Sequence, residues 1–323
     1  MTKHRKISRR KTYRNRSLIK FAEVLFLLFE LVQFPKHFSK YSKKTFNNWQ
    51  LFALLVLRAK SKLSAEDFVE QFLPGNTGLL NALGLTAIPT ASALRKFAGR
   101  LKAFWGHTAL AGCAQLAGLS DVCVGIDGTG HSKQRGSRHY YRRIGKRTKK
   151  KDFVKVVGID DLTTQHVLAV KIRKKSRHDN VDFKPSVNRV ARATSLDTVI
   201  GDKGFDAQKN HEVVHQHGAL LITPIRNQDV PIWRTKGADR KKLKRNFPTR
   251  TYHKRSKKET VWSVVKQKFG DIVRALTFHM QKIELLCRYL AYNIDRILTL
   301  QKKPKIRASF SDELCITLIG DTA

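Results

Sequence analysis

Five short runs rich in β-branched residues, interleaved with helical patterns, constrain this chain more than any other feature. Val122–Ile126, Val154–Ile159, Val167–Ile172, Thr198–Gly201 and Ala219–Ile225 read as strands. Helical stretches over Val181–Ala193 and Ala207–Gln216 separate the last three. The order is strand, strand, strand, helix, strand, helix, strand, and another helix begins near Tyr252. Hairpins followed by βαβ units imply an α/β fold, a mixed sheet flanked by helices. Upstream the pattern is helical throughout, over Lys20–Phe34, Phe46–Leu57, Ser64–Phe72 and Thr90–Trp105; downstream, Asp271–Leu300 reads as a last helix. The expected organisation is an all-helical basic region over 1–115 and an α/β domain over 116–300. A small basic insertion is expected near 226–251, and a tail over 301–323.

Charge narrows the working partner. The chain carries 64 Lys+Arg against 25 Asp+Glu, a formal net charge of +39. Such self-repulsion opposes folding unless a polyanion is bound, so nucleic acid is the expected partner. Hydrophobic residues make up 41% of the chain, which excludes wholesale disorder. The four cysteines, Cys113, Cys123, Cys287 and Cys315, are scattered without a C-x-x-C pair. A reducing cytoplasm is the expected compartment. The apolar run Phe21–Phe34 is interrupted by Glu23 and Glu30 and is too short to span a bilayer, so it reads as a core helix and no membrane partner is expected.

Basic residues cluster in three places. Met1–Ser17 holds eight Lys/Arg and no acid, and reads as a mobile arm lying on phosphates or as a solubilising tail. In Thr90–Trp105, Leu94, Phe97, Ala98, Leu101, Phe104 and Trp105 share one stripe, while Arg95, Lys96, Arg100 and Lys102 point away from it. That suits a DNA recognition helix reaching out through Arg95 and Lys96, and equally a plain amphipathic helix. Lys133–Lys151 contains ten Lys/Arg, among them Arg142, Arg143, Lys149 and Lys150, with Tyr140 and Tyr141 between. Such a run can track a phosphate backbone and stack a distorted base.

Acids are scarce, so their positions are informative. Asp127 closes the first strand in V-G-I-D-G-T-G, and Asp202 closes the fourth in V-I-G-D-K-G-F-D. If those strands are parallel, both acids lie at one edge of the sheet. The plainer reading of either alone is turn chemistry at a strand end. The stretch Tyr252–Lys266 adds a third acid. Tyr252, Arg255, Glu259 and Lys266 fall within an arc of roughly 60° on a helix, with Val261, Val264 and Val265 opposite. A carboxylate flanked by a phenol, a guanidinium and an ammonium suits metal binding beside phosphate. The plainer reading is a helix start with Ser256-x-x-Glu259 as a capping box. Convergence of Asp127, Asp202 and Glu259 would demand cations, and all-oxygen ligation favours Mg²⁺ or Mn²⁺.

Taken together, I-D-G-T, G-D-K-G-F-D and Y-x₂-R-x₃-E-x₆-K resemble the three signature blocks of DDE transposases from prokaryotic insertion sequences, in the group with a Y-R-E-K signature. The resemblance covers roughly Asp121–Leu300. It implies an RNase H-like catalytic domain in which Asp127, Asp202 and Glu259 are the catalytic, metal-binding triad, holding two ions. It implies that Tyr252, Arg255 and Lys266 hold DNA near the cut. Double-stranded DNA, as element ends and target site, is the implied partner, with a homodimer in the synaptic complex and a place at the nucleoid. Two departures stand out. Lys258 occupies a position usually apolar, and about 26 residues (226–251) leave no room for a large β-rich insertion.

Two other functional classes compete. His211-Glu212-Val213-Val214-His215 is a literal H-E-x-x-H, the zinc-protease pattern. Gly218 ends that helix three residues after His215, so the expectation is a surface helix without zinc. A catalytically inactive DNA-binding relative is the other alternative. The intact acids and their basic flanks speak against it.

Overall fold

A computed structural model describes residues 2–133, 143, 145, 153–174 and 178–301, with side chains from Ser17 onward. The chain divides into two units. One comprises Met1–Gly118 together with the chain from Ile283, and the other comprises Leu119–Lys282.

The first unit is helical: α1 (Thr2–Leu31), α2 (Asn48–Ser61), α3 (Ala65–Asp67), α4 (Thr77–Ala82), α5 (Ala91–Arg100) and α6 (Ala103–Leu116). The basic N-terminal segment, expected as a mobile arm or a solubilising tail, is the beginning of α1. Phe21, Val24, Leu25, Leu28 and Phe29 of α1 are buried, while Lys20 and Glu30 are exposed, as an amphipathic core helix requires. Phe29 stacks on Phe52 of α2 with ring centroids 4.9 Å apart. Gly112 lets α6 approach the end of α1, since a Cβ there would lie 2.5 Å from Val32 Cγ1. Asn47 and Gln50 close α2 with a reciprocal capping box. Ser64 caps α3 through the Asp67 amide, and a π-helical turn, Phe68–Phe72, follows.

The helix expected over Thr90–Trp105 is in fact two. Leu101 and Lys102 are extended, with ψ of 115° and 135°, and this break lets α6 start in a new direction. Phe104 therefore leaves the apolar stripe and is 62% exposed. No helix among the described residues is long and apolar enough to cross a membrane.

The second unit is built on a five-stranded sheet of order β3-β2-β1-β4-β5. Its strands are β1 (Val122–Ser132), β2 (Phe153–Asp161), β3 (Val167–Arg173), β4 (Leu196–Gly201) and β5 (Leu220–Ile222). β1, β2 and β3 pair antiparallel, whereas β4 runs parallel to β1 and to β5. This is the RNase H-like mixed sheet, preceded by a helical region. Helices α7 (Phe183–Ala191) and α8 (Gln208–His215) make the crossovers. After β5 come α9 (Ala238–Arg245), the short α10 (Thr249–Tyr252) and α11 (Ser256–Phe269). The last helix, α12, spans Phe278–Leu300 rather than starting at Asp271. Gly270, at φ 91°, ends α11, and Val273 then bridges to Lys133 as extended chain.

Candidate active site

β1 runs on to Ser132, past its expected end at Ile126, so Asp127 lies in mid-strand opposite Gly158 of β2. The glycines that follow Asp127 serve close approach. A Cβ at Gly128 would lie 2.3 Å from Asp179 Oδ2, and one at Gly130 would lie 3.0 Å from Phe153. Because β2 is long enough to pair out to Ser132, the ladder continues. The parallel register pairs Ile126 with Gly201, which places Asp127 beside Asp202 immediately after β4. Asp202 accepts from the Gly204 amide at 2.8 Å and opens a short 3₁₀ turn.

Alternation along the strands sets which face carries the site. Gly125 and Asp127 point to one face, and their partners Asp160 and Gly158 share it. α11 lies over this face. A Cβ at Gly125 would meet Lys258 Cβ at 3.5 Å, and one at Gly158 would meet Trp262 at 2.5 Å. Lys258 and Trp262 are one helical turn apart, and so are matched to the spacing of the two glycines. The Lys258 ammonium donates to Asp160, both side chains being buried, and sits 4.0 Å from the Trp262 ring centroid. An acid inside an apolar strand demands a partner. That is the signal in G-I-D-D by which Asp160 can be read from sequence, although the partner, Lys258, is remote in the chain.

The electrostatics join three of the expected site residues. Burial pushes the Asp127 carboxyl up; the Gly128 amide, Lys258 and Arg255 pull it down, and Asp202 pushes it up again. Arg255 also lies 3.9 Å from Glu259, one turn on. Glu259 itself is exposed, at 68%. Asp127 and Asp202 thus stand together, and Glu259 is connected to them through Arg255. Asp127 and Asp202 each use Oδ1 to accept from a backbone amide at 2.8 Å. No described residue donates to either Oδ2. Paired carboxylates with an outward oxygen each are a hard-oxygen donor set that fits a divalent cation.

The expected capping box at Ser256 does not form. α10 and a 3₁₀ turn over His253–Arg255 lead directly into α11, so the chain is already helical there and the Ser256 hydroxyl donates back to His253 O at 3.1 Å. Arg255 and Glu259 therefore do share a helical face. Tyr252 is half-buried, edge-on to Phe247 at 5.2 Å. Lys266 donates to Gly130 O at 2.8 Å and lies 3.5 Å from Asp271. In the first unit Arg95 and Lys96 are exposed on α5, and Arg95 pairs with Glu66. Arg143 is exposed; Arg142, Lys149 and Lys150 lie outside the described residues. In the H-E-x-x-H helix, Glu212 is exposed while His211 is buried, so the protease arrangement is not assembled.

No curated protein sequence matches the chain. Among solved structures, it resembles a piggyBac transposase synaptic complex with hairpin DNA, at 10% identity and a TM-score of 0.39, covering 94% of this chain and 82% of the other. A pre-cleavage Mos1 transpososome aligns at 8% identity and a TM-score of 0.24, covering 83% and 82%. A Mos1 transposase paired-end complex with the left transposon end aligns at 9% identity and a TM-score of 0.24, covering 81% of each chain. The model of the transposase DDE domain matches residues 119–294, a span that holds the sheet, both aspartates and α11. The chain therefore belongs to the DDE transposases, metal-dependent enzymes that cleave and transfer DNA strands.

Proposed function

We propose that Asp127, Asp202 and Glu259 are the catalytic triad and hold two Mg²⁺ ions, with Mn²⁺ as substitute. The observation that carries this reading is the parallel register that sets Asp127 beside Asp202 under the start of α11. When bound, such ions supply Lewis acidity and an activated oxygen for in-line displacement at phosphorus. The chain's own residues hold and orient. Backbone amides fix one oxygen of each aspartate, and Arg255 lies between the aspartates' charge and Glu259. Arg255 with Tyr252 and Lys266 forms a polar border able to grip phosphate oxygens next to the cut.

Double-stranded DNA is the substrate, as element ends and target site. The helical region over 1–115, with Arg95 and Lys96 exposed on α5, chooses the end. The basic run with Arg142, Arg143, Lys149 and Lys150 holds the backbone near the acids. Two chains join two ends as a homodimer in the synaptic complex, at the nucleoid of the cytoplasm.

The test is an end-cleavage assay on duplexes carrying the inverted repeats that flank the coding region. Cutting should require Mg²⁺ or Mn²⁺. Asp127→Asn, Asp202→Asn and Glu259→Gln should each abolish it while DNA binding stays near the parent level. Near-normal cutting by any one of the three removes that residue from the triad.

A further inference from the structure

The H-E-x-x-H helix acquires a partner that its sequence does not show. His211 and His215 stand one turn apart on α8, and Asp239 approaches them from α9. One donor atom from each lies within 4.8 Å of the other two. His215 Nε2 and Asp239 Oδ1 are already 3.2 Å apart. His211 is 1% exposed, and its buried Nε2 has no hydrogen-bond partner among the described residues. A buried imidazole nitrogen without a partner is costly unless something else satisfies it. The neighbouring acid is not free to do so. Asp206 accepts from Arg240 Nε at 2.6 Å, from Arg240 Nη2 at 2.8 Å and from the Arg226 amide at 2.9 Å.

We propose that His211, His215 and Asp239 bind a zinc ion that fastens α9 to α8. Two imidazoles and a carboxylate are a zinc donor set, and zinc–nitrogen bonds of about 2.0–2.1 Å require donors about 3.3 Å apart. The His215–Asp239 spacing meets that requirement as it stands. Burial keeps the His211 imidazole below its usual value, against the pull of Asp239 and Asp206. The second Asp239 oxygen accepts from Gln208 Nε2 at 2.8 Å, the outer hydrogen bond that orients a ligating carboxylate. Gly237, at φ 94°, brings the chain across Gln208 just before α9, where a Cβ would lie 2.2 Å from Oε1.

α9 has need of such a clamp. Its sequence, A-D-R-K-K-L-K-R, buries no residue. A two-turn helix with no fully buried side chain is marginal on its own. Beside the half-buried Leu243, polar contacts hold it: Arg240 to Asp206, Asp239 to Gln208 and His215, and Lys244 to the Asn227 carbonyl at 3.1 Å. The metal is structural, and it positions a basic helix of the small insertion. The early stop at Gly218 argued against zinc only while a third ligand was sought along the same helix.

The experiment uses the full chain, stripped with chelator, reloaded with zinc sulfate in excess Mg²⁺ and desalted. Bound zinc should be equimolar with the parent chain and with Asp127→Asn, and lost from His215→Ala and Asp239→Asn. His215 is half-exposed, so its loss leaves the fold intact, which circular dichroism checks. Gln208→Ala should retain the zinc with affinity weakened about 10- to 100-fold in a chelator competition. Chelator should accelerate amide exchange across Ala238–Arg245 in the parent and have no effect in His215→Ala. A parent chain that holds no more zinc than His215→Ala overturns the proposal. Zinc that persists in His215→Ala and vanishes in Asp127→Asn overturns it too, by assigning the metal to the acids of the active site.

Discussion

The Lys258 ammonium donates to an Asp160 carboxylate oxygen inside the second unit, and neither side chain reaches solvent. The other Asp160 oxygen has no partner among the described residues. The pair ties the first turn of α11 to β2 through Lys258, the residue that precedes Glu259. Removing one member leaves the other buried without its partner, which typically costs about 3–5 kcal/mol, whereas replacing both by apolar residues is close to neutral. Lys258→Met should therefore lower the unfolding free energy by about 3–5 kcal/mol, and Lys258→Met with Asp160→Leu should recover most of it. Urea titrations of the parent, the singles and the double decide this. A single as stable as the parent would show the pair to be incidental.

The same pair gives the fold a pH signature. Burial pushes the Asp160 carboxyl from 3.8 up to about 7, although Lys258 and its hydrogen bond pull the other way. Between those values the folded chain binds more protons at Asp160 than the unfolded chain does. The stability this group contributes is complete below 3.8 and fades as pH rises through about 7. The advantage of the parent over Asp160→Asn should accordingly shrink as pH rises across that window. Thermal melts in matched buffers read the gap directly, and a constant gap would mean that Asp160 titrates at its ordinary value.

α11 can be pried from the sheet at one point. Gly158 sits under Trp262, and an added Cβ would come within 2.5 Å of the ring. Neither backbone nor indole can yield cheaply, so Gly158→Ala should destabilise by about 1–3 kcal/mol. Cleavage should fall with it, because the indole and Glu259 ride on the same helix. If Gly158→Ala melts like the parent, α11 is not packed on β2 as described.

Salt should report on the basic run. Each phosphate contact removed flattens the dependence of log K on log salt by about 0.9. Replacing Arg142, Arg143, Lys149 and Lys150 with Gln should weaken end and scrambled duplexes alike and flatten the slope by about 0.9 for every contact these residues make. Fluorescence anisotropy across a salt series measures both. A loss confined to end sequences would place base recognition, not backbone holding, in this run.

The strands were legible because Val and Ile runs mark them, and the hairpin-then-βαβ order implied a mixed sheet flanked by helices. Asp202 is where its strand end suggested. Asp127 was misplaced within its strand because the β-branched run stops at Ile126, whereas the strand continues through Gly128 and Gly130, which make room for Asp179 and Phe153. The break at Leu101 is invisible to periodicity, since Phe104 and Trp105 continue the apolar stripe in phase across it. Lys258 was visible as an oddity without its partner. Pairings such as Lys258 with Asp160, or His211 with Asp239, join residues far apart in sequence, and single-chain patterns carry no record of them.

The helical unit is discontinuous, and this bears on the order of synthesis. Its core includes Leu285, Leu286, Tyr289, Leu290, Ile294 and Ile297 of α12, all buried, and a Cβ at Gly106 of α6 would lie 2.9 Å from Leu286. The N-terminal helices leave the ribosome first yet must wait for the last described helix before their apolar surface is closed. A nascent chain halted after Lys282 already carries Asp127, Asp202 and Glu259 but leaves that surface exposed. The connectivity thus leaves the apolar surface of the helical unit open until α12 has been made.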